Sequence, residues 1–129
     1  MTDNSMRTPI GRVRGLGSAK SGLHHWWMQR VTAVALIPLT LWFVASLISL
    51  AGAGYAETVA WLGSPIVAVL MIALIIATFY HAALGLQVVI EDYVHHEGVK
   101  LVTLLGVKLL ASLLAIAALF AVLKLAFGG

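Results

Sequence analysis

Three apolar runs, Val31 to about Gly52, Ser64 to Ile90 and Leu101 to Phe127, decide what this chain can become. A helix that crosses a bilayer needs about 20 apolar residues in succession, and each run meets that length. The expected fold is an all-α membrane protein with three transmembrane helices, over about residues 30–52, 64–91 and 101–127. They form a single domain of residues 1–129, in which residues 1–29 make an N-terminal tail. The connectors AGAGYAETVAWLG and EDYVHHEGVK are too short to be domains, and no internal repeat is present. Composition agrees: 61% of residues are hydrophobic and 10% charged, where a soluble domain carries about 25% charged residues.

Charge placement orients the helices. Arg7, Arg12, Arg14, Lys20 and Arg30 precede the first run and Lys100 opens the third, while the first connector has no basic residue. Short loops rich in Lys and Arg stay on the inner side. The N-terminus and second connector are therefore expected in the cytoplasm, or in the matrix of an organelle, and the C-terminus outside, in the periplasm of a bacterium. The net charge of +3 is thus explained by topology, without a nucleic-acid partner. Lys108 and Lys124 lie within the third run and are expected to snorkel or to face a protein neighbour. No cleaved targeting segment is expected, and Pro38 should bend the first helix. The chain has no cysteine, which excludes disulfides, thiolate metal sites, iron–sulfur clusters held by this chain and cysteine nucleophiles.

His81 lies well inside the second run, about ten residues or roughly 15 Å from its inner end. An ionisable side chain at that depth usually faces a bundle interior or a cavity. The plain alternative is a neutral imidazole hydrogen-bonded across a helix interface or to Thr78. His81, Leu84, Gly85 and Val88 share one helical face, and Gly85 would leave a gap where a flat ring could approach, a setting suited to an axial heme ligand. His24, His25, His95 and His96 all fall at the inner membrane face, so a six-coordinate heme would need its second ligand from another chain. Asp92, eleven residues after His81, drifts by only about 20° around the helix and points the same way. Glu91, Asp92 and Tyr93 would serve either as an interfacial belt or as a polar ligand site. Trp26 and Trp27 read as interface anchors. Arg30 could pair with Asp92, bind a lipid phosphate, or hold a cofactor carboxylate.

The segments HHWWMQRVTA (His24–Ala33) and HAALGLQVVIEDYV (His81–Val94), with three helices and an inner N-terminus, resemble the small hydrophobic membrane anchor of succinate dehydrogenase (respiratory complex II), in its bacterial form. The resemblance covers most of the chain, though the third run adds little to it. It implies that His81 is an axial ligand to heme b, opposite a ligand from a second membrane-anchor subunit. It also implies that Tyr93 bonds a ubiquinone carbonyl with Asp92 in support, and that Arg30 and His24 lie near the heme propionates. Flavoprotein and iron–sulfur subunits would deliver electrons from succinate to ubiquinone at the inner face of the bacterial cytoplasmic membrane, where Asp92 could pass protons. Three readings compete with this one: an anchor of a quinol-oxidising fumarate reductase, a heme-free structural anchor, and a transporter component using His81 as a proton relay.

Overall fold

The computed structural model describes residues 8–10 and 20–128; Arg7, Arg12, Arg14 and the side chain of Lys20, used above to orient the chain, lie outside the described residues. Three long helices and a short one follow: α1 (Lys20–Ser49), α2 (Tyr55–Leu62), α3 (Pro65–Tyr93) and α4 (Glu97–Ala126). The long helices are each apolar enough to cross a membrane. Helical backbone suits that medium because every interior N–H finds a carbonyl within its own segment.

Helix α1 begins well before its apolar run, at Lys20 rather than near residue 30. Nothing in GLHHWWMQR stops a helix once it leaves hydrocarbon, and Trp26 and Trp27, packed edge to face at 5.3 Å, suit the membrane interface. At the C-terminal end of α1 the chain reverses through Gly52, whose φ of +88° is in the left-handed region that glycine tolerates best. The first connector then forms α2, where the sequence suggests only a plain connector. Its start is held by Glu57, whose Oε2 accepts from the Gly54 N–H at 3.2 Å, one half of a capping box. Trp61 of α2 stacks on Trp42 of α1, centroids 5.9 Å apart. Gly63 follows, and a side chain there would stand 3.5 Å from the Leu125 carbonyl of α4. Pro65 occupies the first turn of α3, where a missing N–H costs nothing. Helix α4 is capped by His96, whose Nδ1 accepts from the Val99 N–H at 3.4 Å.

Helix α3 is the shared element. It packs against α1 on one side and α4 on the other, while α1 and α4 make no contact with each other. The three spans thus form an open layer rather than a closed bundle. On the α4 side Ala68 and Ile75 bury against Val122, with Met71, Phe79 and Leu119 around them. Below that cluster a cleft of about 460 Å³ runs between α3 and α4, with Tyr80, Gln87, Lys108 and Ser112 among its lining residues. Lys108 therefore faces a protein groove. Lys124 lies in the last turn of α4, where a cation offsets the partial negative charge of the helix end. The layer leaves large apolar side chains exposed along every span, Val34, Leu41, Ile66, Leu109 and Phe120 among them, as lipid or a further helix requires.

Because the chain has no cysteine of its own, single cysteines report topology directly. In right-side-out vesicles Ala56→Cys should react with an impermeant maleimide, whereas His95→Cys should react only after permeabilisation; the opposite pattern would invert the orientation.

Candidate functional site

His81 stands twelve residues before the end of α3, a rise of about 18 Å. Its ring is not bonded to Thr78, which is exposed and makes no hydrogen bond among the described residues. The partner is Thr32 of α1, with Nδ1 2.9 Å from Oγ1. Thr32 is 7% exposed and is the one buried polar side chain among the described residues. Its hydroxyl also lies 2.7 Å from the Met28 carbonyl oxygen and 3.2 Å from that of Gln29. A hydroxyl has a single proton, and donating it back to the carbonyl four residues earlier is common in helices. With that proton donated to the Met28 carbonyl, Oγ1 accepts from His81 Nδ1–H, and in the neutral ring Nε2 then keeps its lone pair.

That second nitrogen has no hydrogen-bond partner among the described residues. His81 contributes to a shallow, open groove of about 410 Å³ whose other walls are Ala33, Leu36, Ile37, Thr40 and Leu41 of α1. An imidazole with a free Nε2 beside an apolar wall fits the donor set of an axial heme ligand. No group of three or more His, Asp or Glu side chains is gathered for a metal ion among the described residues. His81 therefore offers a single donor and is not part of a multidentate cluster among the described residues.

Gly85 does not leave the open gap expected of it. A Cβ there would lie 3.7 Å from Gln29 Nε2, so α1 fills the space with an amide. Gln29 and His25 lie on the Thr32 side of α1 by their spacing of three and seven residues. His25 Nε2 and Gln29 Oε1 are buried without a partner. None of Thr32, Gln29 and His25 stands out for this role from sequence. Their spacing is the available signal: three polar residues on one helical face just where an apolar span begins.

The remaining residues are exposed, in the N-terminal half of α1 and at the C-terminal end of α3. Arg30 is about 200° around α1 from Thr32, with its guanidinium 5.0 Å from the centroid of Trp26, and it does not pair with Asp92. The ion pair among the described residues is Lys100 with Glu97, at 3.5 Å. His24 is exposed beside the half-buried His25. Asp92 is exposed and Tyr93 is 78% exposed at the last residue of α3. Glu91 accepts from Gln87 Nε2 at 2.8 Å. Two carboxylates here oppose the helix macrodipole, whose negative end is at the C-terminus, by roughly 0.3–1 kcal/mol each when exposed. Helix stability therefore does not account for them.

A side chain the size of alanine fits at Gly85, because 3.7 Å is ordinary contact. Gly85→Ala should leave the α1–α3 seam intact, whereas Gly85→Leu should lower stability by about 1–3 kcal/mol through overpacking, read as reversible unfolding in mixed micelles.

Residues 4–123 match the model of the succinate dehydrogenase/fumarate reductase transmembrane subunit family. The chain is 35% identical over 116 residues to a succinate dehydrogenase hydrophobic membrane anchor subunit from Rickettsia bellii, covering 90% of this chain and 93% of that one. A protein of the same description from Paracoccus denitrificans is 34% identical over 86 residues, 67% of each chain. A succinate dehydrogenase membrane anchor subunit from Reclinomonas americana is 30% identical over 95 residues, 71% of this chain and 79% of its own.

Proposed function

This chain belongs to the succinate dehydrogenase/fumarate reductase transmembrane subunit family, and on that footing we propose that it anchors a succinate dehydrogenase in the membrane, contributes a ligand to heme b and forms part of a ubiquinone site. Flavoprotein and iron–sulfur subunits would dock at its inner face, and a second membrane anchor would pack on its open layer. In a bacterium that membrane is the cytoplasmic one.

The observation that carries the heme reading is the state of His81: one ring nitrogen bonded to Thr32 and the other free beside an apolar groove. Heme b, when bound, would supply a one-electron store within the membrane. His81 Nε2 would hold it from this side. A second ligand would come from another chain, because the other histidines of this one lie toward the helix ends. Arg30 and His24, exposed at the inner end of α1, are free to meet propionates once the partner docks.

At the inner mouth the Tyr93 phenol can donate a hydrogen bond to a quinone oxygen and stabilise the negative charge that grows there as electrons arrive. Asp92, beside it and without a partner among the described residues, is placed to pass protons from the aqueous side. Two acidic groups at an electrostatically unfavourable helix end support a role beyond stability.

The test is a reduced-minus-oxidised absorbance spectrum of the complex purified through this chain, beside the same preparation carrying His81→Ala. A b-type spectrum that is lost or shifted in the variant is expected. Intact co-purifying subunits without heme in the native preparation would leave a structural anchor instead. For the quinone site, Tyr93→Phe should lower succinate-driven quinone reduction by about 10²-fold, normalised to a dye that accepts electrons directly from the soluble subunits. An unchanged rate would remove Tyr93 from the site.

A further inference from the structure

We propose that Thr32 is the positioning residue for His81, fixing both the tautomer and the rotation of the imidazole and so setting how strongly Nε2 binds iron. The assignment rests on the heme-anchor reading above. It stands on a chain of two hydrogen bonds: the Met28 carbonyl accepts from the Thr32 hydroxyl at 2.7 Å, and the Thr32 oxygen accepts from His81 Nδ1–H at 2.9 Å. Each bond polarises the next, which strengthens both in a medium of low dielectric. Electron density pushed toward the ring makes Nε2 a better donor, as outer hydrogen-bond partners do for ligating histidines generally. A more basic ligand favours ferric over ferrous iron.

Three features make Thr32 suited to this task. It is the most buried polar side chain described, so water does not compete for the bond. Its hydroxyl is within bonding distance of carbonyls of its own helix, and donating there leaves the oxygen as the acceptor for Nδ1–H, which favours that tautomer. It also projects from α1, while His81 projects from α3, so the ring angle depends on how the two helices pack. Loss of the hydroxyl would leave Nδ1–H without an acceptor in hydrocarbon, and the ring would turn to seek another.

Thr32→Val, close in shape and without the hydroxyl, tests the proposal in the intact complex against Thr32→Ser, which keeps it. Redox titration of the heme should shift the ferric/ferrous equilibrium of the valine variant about tenfold toward ferrous, a rise of about 59 mV for one electron. Serine should titrate as the native complex does. The low-spin ferric electron-paramagnetic-resonance signal should change in valine alone, reporting ring orientation independently of turnover. A valine variant indistinguishable from the native complex overturns the assignment, as does a serine variant shifted as far as valine. Should the valine complex not assemble, Thr32→Ala is read in its place, and failure of both would make Thr32 a packing residue only. A native complex without a b-type spectrum overturns the heme-anchor reading itself, a result separate from an unshifted potential in a heme-bearing variant.

Discussion

Hydrocarbon offers no hydrogen bonds, so every polar atom that enters it must find its partner within the protein. Backbone groups meet that demand by forming helices. His81 meets it at Nδ1 by reaching across to Thr32, and in doing so joins α3 to α1. Bonds of this kind between membrane helices contribute about 0.6 kcal/mol on average and up to about 2. That is modest, but lipid tails are as apolar as the helix faces, so burying Leu against Leu adds little drive to hold two helices in one register. A single polar contact then has a large share in deciding how α1 is rotated against α3. The fit of Gln29 over Gly85, one turn nearer the inner face, follows from the same rotation.

With α3 in the middle and α1 and α4 apart, the two seams have different character. The α3–α4 seam is apolar in its outer part, built on Ala68, Ile75 and Val122. The α1–α3 seam is polar in its inner half, where His25, Gln29, Thr32 and His81 all contribute. Its two unpartnered atoms, His25 Nε2 and Gln29 Oε1, mark where water or a neighbouring donor would be accommodated, since buried polar groups rarely stay unpaired. Polarity therefore increases along this seam toward the end of α3, where Asp92 lies on the same side of the helix as His81. A ligand that is apolar at one end and carries oxygen atoms at the other would find matching surroundings along that gradient.

Much of the fold was legible because the length of an apolar run reports a spanning helix directly. Residues 64–91 against Pro65–Tyr93 and 101–127 against Glu97–Ala126 differ only at the ends. The start of α1 was displaced further, since hydropathy marks where a helix leaves lipid and not where it stops being a helix. Helix α2 was hidden for another reason: eight residues are too few for a periodic signal, and its one cue was Gly54 followed by Glu57. His81 stood out by depth alone. Its partner did not, because which faces meet is a matter of rotation, and helices apolar on all sides carry almost no record of rotation in their sequence. Of the two kinds of partner open to the ring, one across a helix interface and Thr78 on its own helix, the packing supplies the first, in Thr32.

An imidazole held at Nδ1 by a second helix and lining an open groove is, on the proposed reading, half of a coordination site. On that reading the opposite half comes from another chain, since the remaining histidines lie toward the helix ends and the described acidic residues do not gather with His81. Nor is the layer closed: α1 and α4 leave α3 uncovered on its broad faces. A closed three-helix bundle would bury His81 among its own helices and would have no use for an imidazole that faces outward. The open arrangement instead makes completion of the site and completion of the packing one event. On the proposed reading, the partner helix that brings the second ligand also covers the groove between Ala33 and Leu41, so assembly and cofactor capture depend on the same surface.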